Sequence, residues 1–188
     1  MARLVDWLEG GDLRSDGAAN QAAQAVLQNE ALVADLAEGL SHEDAVVRGR
    51  TLDALEKIAR TRPELVHPYL SQVIALMRTE DTMLARMHAA MLFGDMAIYE
   101  EEIVSMLPVL LGMLNDSTAF TKSWAISSLC IIARKYPQYH SEIAGRVQRL
   151  ENDPGRAIQT RAGKAMALLS DPAQPFPKGW IKSTKLGL

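Results

Sequence analysis

The chain of 188 residues carries a formal net charge of −3 and is 48% hydrophobic, enough apolar material for one substantial core in a length too short for two full-sized domains. With 20 Lys and Arg against 23 Asp and Glu, it lacks the broad positive field that non-specific nucleic-acid binding requires. Its single cysteine, Cys130, rules out an intramolecular disulfide and a cysteine-cluster metal site, and fits a reducing, cytoplasmic setting.

Ala and Leu supply 50 of the residues and aromatics only 5%, a pool rich in helix formers and poor in strand formers, so an all-α fold is expected. In chain order, the opening MARLVDWLEGGD has Asp6 and Glu9 within its short apolar stretch, and reads as neither a signal segment nor a membrane span. It predicts a short helix from Ala2 to Glu9, with Leu4, Val5, Trp7 and Leu8 as its apolar group, ended at Gly10-Gly11; residues 1–17 form a cap and linker. A degenerate helix pair follows from Ala18 to Leu40. Three full pairs are then expected, from Ala45 to Met77, Met83 to Leu114 and Ala119 to Leu150, before a last helix from Arg156 to Ser170.

These pairs rest on internal repetition. AVVRGRTLDALEKIA from Ala45, MLARMHAAMLFGDMA from Met83, AFTKSWAISSLCIIA from Ala119 and, more weakly, AIQTRAGKAMALL from Ala157 superpose with Arg48, Arg86, Lys122 and Arg161 in equivalent places. Their separations of 38, 36 and 39 residues set a period of about 37. A second pattern with i, i+3, i+4, i+7 spacing follows each, as in Leu70, Val73, Ile74, Met77 and Leu107, Leu110, Leu111, Leu114. Weaker copies run from Ile143 to Leu150 and from Val33 to Leu40. Turn and N-cap chemistry separates the units: SHED at Ser41, RTED at Arg78, NDS at Asn115, NDPG at Asn152; Pro63 and Pro137 fall between the helices of a pair. The tail from Asp171, DPAQPFPKGWIKSTKLGL, has three prolines and no helical period, so residues 171–188 are expected to be irregular.

Units of about 37 residues, with an acidic turn, a basic residue early in the first helix and Ala/Leu-rich helices, resemble HEAT and armadillo-like repeats over roughly residues 18–170. The resemblance implies a right-handed α-solenoid, a superhelix of about four to five antiparallel helix pairs, with first helices convex, second helices concave, and a main use in binding proteins. It also implies a ladder between a turn Asp and the basic residue of the next helix, with Asp44 and Arg48, Asp81 and Arg86, Asp116 and Lys122, and Asp153 and Arg161 as the candidate pairs. Two further relatives of this repeat class set the alternatives: a nucleic-acid-binding or DNA-glycosylase-like HEAT protein with a positive groove, and a phycobilin-lyase-like HEAT subunit. Against the first, the expected concave positions Asp35, Glu38, Gln72, Ala75, Val109, Gly112 and Gln148 carry no positive charge.

No phosphate loop, Gly-x-Ser-x-Gly or His-Glu-x-x-His occurs. His42, His67, His88 and His140 are scattered without an i, i+4 pair, so no metal site is expected. Cys130, between Leu129 and Ile131, reads as a buried small apolar residue. No catalytic residue and no cofactor is assigned, and the chain reads as a non-enzyme.

One constellation stands out. With positions 47, 51, 54, 55 and 58 as the core of a first helix, positions 46, 50, 53 and 57 form its outer stripe. The stripe reads Val46, Arg50, Asp53, Lys57 in the first full repeat, a solvated face; Leu84, His88, Met91, Asp95 in the second; and Phe120, Trp124, Ser127, Ile131 in the third. Such rising apolarity marks a partner or self-association surface, with Leu84, Met91, Phe120, Trp124 and Ile131 as partner-binding residues, or a surface that the tail covers with Phe176, Trp180 or Ile181, or a helix phase one position off. The function that follows is a non-catalytic scaffold binding another protein or peptide, or a second copy as a homodimer, without metal or membrane.

Overall fold

The computed structural model describes residues 3–12 and 15–188, and every regular element among them is helical. The expected start of the capping helix at Ala2 lies outside the described residues; Val5–Leu8 form a 3₁₀ turn. Helices α1 (Ala19–Gln28) and α2 (Val33–Ala37) make the degenerate pair. Helix α3 (Ala45–Ala59) is followed by α4 (Pro63–Val66) and α5 (Leu70–Leu76), α6 (Met83–Asp95) by α7 (Ile103–Met113), and α8 (Ala119–Lys135) by α9 (His140–Gln148); α10 (Arg156–Ser170) closes the stack.

The starts and stops follow local chemistry. Asp44 caps α3 by accepting from the Val46 N–H, and Thr118 caps α8 by accepting from the Thr121 N–H. Pro63 opens α4, where the missing N–H costs nothing. Each second helix is entered through a 3₁₀ turn, at Glu30–Leu32, His67–Tyr69, Glu100–Glu102 and Pro137–Tyr139.

The first helices α3, α6, α8 and α10 lie side by side with α1 flanking α3, whereas α5 and α7 meet more sparingly. Small residues permit the close row. A Cβ on Gly49 would fall 2.8 Å from Leu84 of α6, and one on Gly94 would fall 2.5 Å from the Ser128 hydroxyl of α8. That hydroxyl donates to the Ala90 carbonyl at 2.6 Å, and the Tyr136 hydroxyl to the Ala97 carbonyl at 2.8 Å. Between the rows the core is fully buried, with Leu52, Leu55, Ile58, Phe93, Met96, Ile103 and Met106 at its centre.

A ladder exists, but its rungs differ from the expected ones. Arg48 bonds Glu80 at 2.6 Å, Arg86 bonds Asp116 at 2.5 Å and Lys122 bonds Asp153 at 2.6 Å. Each base therefore pairs with the turn that follows its helix pair, because in the stack that turn lies beside the first turn of its own helix. Each carboxylate also accepts a backbone N–H two residues on, from Thr82, Thr118 or Gly155, and so opens the next first helix. Burial works to raise Glu80 and Asp116, yet the bonds from Arg48, Arg86 and the turn amides hold both below the ordinary carboxylate range. Asp44 caps its own helix, Asp81 is exposed, and among the described residues Arg161 pairs with none of the carboxylates.

Candidate functional site

The first-helix face is closed by the chain's own ends. Arg50, expected on a solvated stripe, is 3% exposed and donates to the carbonyls of Leu8 at 2.8 Å, Gly10 at 2.5 Å and Ser15 at 3.2 Å. The N-terminal segment wraps this guanidinium through glycines: Gly10, Gly11 and Gly17 have φ of 75°, 74° and 51°, and a Cβ on Gly17 would fall 2.6 Å from the Arg50 guanidinium carbon. Asp53 is fully buried as well. The solvated-face expectation fails because an aperiodic loop supplies carbonyl acceptors that no helical pattern announces.

The tail closes the rest of the row. Arg134 donates to the Gln174 carbonyl and lies over the Phe176 ring. The Arg161 guanidinium sits between Trp180, 4.6 Å from its ring centre, and Trp124, at 5.3 Å; Lys182 lies over Trp124 at 5.1 Å. Farther on, the Thr184 N–H donates to the Arg60 carbonyl at 2.9 Å, and Lys135 donates to the Leu186 carbonyl.

Of the five residues expected to bind a partner, Leu84, Met91 and Ile131 are buried, Leu84 against Gly49 and Ile131 against Gly94. Leu84 and Ile131 are packing between repeats, and all three are withdrawn from the surface a partner could reach. Trp124 is half-buried under Arg161 and Lys182, and Phe120 alone among the five stays exposed, at 62%.

Beneath the tail lies a polar cluster drawn from two repeats, which no local spacing revealed. His88 Nδ1 is 3.3 Å from Asp53 Oδ1, Lys57 holds the other Asp53 oxygen at 2.8 Å, and Arg60 grips both Glu56 oxygens at 2.9 and 2.7 Å. Burial, reinforced by the Glu56 carboxylate, pushes Asp95 well above the ordinary carboxylate range, although the Ser183 N–H bonds it. Burial likewise raises Glu56 and lowers His88. The sequence placed no metal-ligand set here, yet Asp53, Glu56 and His88 bring ligand-type atoms within 4.8 Å of one another. Arg60 and Lys57 already occupy three of those carboxylate oxygens, so the group is an ion-pair network and a poor cation cage. Cys130, at 1% exposure, is pushed to about 12 by burial, far from a reactive thiolate.

The second-helix face is open. On α7, Val104, Pro108 and Gly112 stand at i, i+4 and i+8 on one exposed side, with Val104 at 68% exposure. This ridge is shared by two depressions, one of about 440 Å³ towards Tyr139, Glu142 and Arg146 of the next unit, and one of about 990 Å³ towards Ser71, Ile74 and Arg78 of the preceding one. Pro108 has no N–H, so the Val104 carbonyl lacks its helical donor within the ridge. The expectation of a face without positive charge is corrected by Arg78 and Arg146. The first sits in a turn and the second at an expected apolar-pattern position, so helical phase alone pointed at neither.

The repeated helix pairs, the inter-repeat ladder and the two unlike faces define an armadillo/HEAT-like helical repeat fold. Neither a family model nor a curated protein matches the sequence. Among solved structures the chain is similar to an engineered protein from a structural-genomics programme, at 20% identity and a TM-score of 0.65 over 88% of this chain and 79% of that one. It is similar to computationally designed armadillo repeat proteins for modular peptide recognition, at 16% identity and 0.65 over 87% and 79%. A designed armadillo repeat protein in complex with the peptide (KR)4 aligns at 16% identity and 0.61 over 88% and 80%. The likeness to all three is one of fold.

Proposed function

We propose that this chain is a non-catalytic helical-repeat scaffold that binds an extended segment of another protein along the face formed by α5, α7 and α9. The observation that carries the reading is the exposed Val104, Pro108, Gly112 ridge with a depression on each side, on a molecule whose opposite face is covered by its own ends. Stacked repeats provide such long surfaces, and designed relatives with this fold were made for peptide recognition. A non-enzymatic role is supported by the titratable cluster at Asp53, Glu56, His88 and Asp95, whose members are at most 9% exposed, with Glu56 gripped by Arg60 and Asp53 held by Lys57. The lone buried thiol fits a cytoplasmic setting; among the described residues no helix is long and apolar enough to cross a membrane.

The test is affinity capture from the native source with the wild-type chain, with Val104→Arg and with Phe120→Asp, each checked for unchanged helicity and mass in solution. Loss of the captured protein with Val104→Arg alone supports the second-helix face. Loss with Phe120→Asp alone, or a wild-type dimer that this substitution splits, moves the interface to the exposed start of α8 and to a partner or second copy there.

A further inference from the structure

Resting on the reading of the second-helix face as a docking surface, we infer that its partner is an extended segment in which carboxylates flank a short apolar stretch. Several arginines on the first-helix side and in the turns are committed: Arg48 and Arg86 to the ladder, Arg50 to loop carbonyls, Arg60 to Glu56, Arg161 between two tryptophans. Of those without a partner among the described residues, which include Arg149 and Arg156, only Arg78 and Arg146 line the two depressions. Both side chains are exposed and neither has an ion pair or hydrogen bond among the described residues; each lines one of the two depressions, Arg78 on the α5 side of the ridge and Arg146 on the α9 side.

The other charges at the depressions are largely spent. Arg86 is held by Asp116, and Glu102 sits 3.1 Å from His67. Glu142, one turn before Arg146, is the one carboxylate of the lining without a partner among the described residues, so two unpaired guanidiniums stand beside one unpaired carboxylate. Free guanidiniums are built for planar carboxylates, which they hold bidentately. Between them the exposed Val104 and Pro108 offer an apolar strip, and the Val104 carbonyl offers an acceptor to the backbone N–H of an extended segment.

The reach agrees with this geometry. Two inter-helix steps of about 10 Å each separate α5 from α9, and about eight extended residues at roughly 3.3 Å each span that distance with about one residue beyond it at each end. A basic segment such as (KR)4, which one designed relative holds, would meet two unpaired guanidiniums here and be repelled.

The experiment is fluorescence anisotropy on the full chain with three labelled eight-residue probes: Glu-Glu-Leu-Val-Leu-Val-Glu-Glu, the same peptide with Gln in place of every Glu, and (KR)4. The acidic probe is expected to bind best and to weaken about tenfold or more as salt is raised, since exposed charge pairs are screened. Arg78→Glu and Arg146→Glu should each weaken it about tenfold with no change in melting temperature, and the double variant should turn the preference towards (KR)4. Equal binding of the Gln probe, or stronger binding of (KR)4 to the wild type, overturns the acidic partner while leaving the docking face standing, provided Val104→Arg abolishes that binding. Binding of none of the probes overturns the inference, and the capture experiment with Val104→Arg then decides the docking face by itself.

Discussion

Along the first helices, Arg50, Asp53, His88, Asp95 and Trp124 are covered or half-covered by the chain's two ends, whereas along the second helices Val104, Pro108 and Gly112 stand open to solvent. Both rows come from the same repeated unit, so the difference is not written in the repeat. It comes from two aperiodic segments, the loop around Gly10 and Gly17 and the tail after Ser170, which both lie on the first-helix side. The covered side can bury charged residues because loop carbonyls and amides satisfy them, as Leu8, Gly10 and Ser15 satisfy Arg50. The open side has no such cover and leaves Arg78 and Arg146 unpaired. Burial of polar stripe residues thus marks where the chain binds itself, and exposure of apolar ones marks where it can bind something else.

The comparison breaks most visibly at Trp180. Trp180→Ala should cost about 3 kcal/mol, the range for removing a large buried aromatic side chain, and should raise binding of a hydrophobic dye; urea denaturation of the variant measures it. A change below roughly 0.5 kcal/mol, the ordinary surface range, would mean that the tail lies on the row without closing it. Next comes Arg50→Ala, which leaves several loop carbonyls without their donor and should cost about 2 kcal/mol. Arg50→Lys should recover only part of that, because one ammonium cannot reach acceptors spread around a planar fork.

A smaller effect of opposite sign belongs to Asp95. Its carboxyl is raised in the folded chain, so the folded state binds more protons than the unfolded one between the ordinary carboxylate range and the folded value. Stability contributed by this group is therefore greatest at acid pH and is lost as pH rises through that window. Asp95→Asn keeps an acceptor for the Ser183 N–H, and should raise stability by roughly 1 kcal/mol at pH 7, the scale of one buried polar group. Near pH 3 it should do little. Urea midpoints at the two pH values check the sign, and a loss at pH 7 would show Asp95 to be ionised and usefully paired beneath the tail. Smallest of all, Val104→Asp should alter stability by less than about 0.5 kcal/mol, as expected for an exposed position with no partner, so any loss of binding in that variant reports on the open face.

The helix pairs, their period and their caps are legible in the residue pattern alone. Those features depend on neighbours within about one or two turns: Asp44 before Val46, Pro63 after Arg62, and the apolar spacing from Leu107 to Leu114 all read locally. The same pattern also marked the outer stripe of the first helices as unusual and named a covering tail among the explanations. Which rung meets which is set by the stacking of the repeats. Arg48 and Glu80, Arg86 and Asp116, and Lys122 and Asp153 stand 32, 30 and 31 residues apart, so their pairing appears only when one repeat is laid against the next. The same holds for Trp124, Arg161 and Trp180, which come from two helices and an irregular tail. Irregular segments have no period to betray which face they cover, and a solenoid built from one repeat offers them two rows; the backbone amides and carbonyls that chose the first row carry no side-chain signature at all.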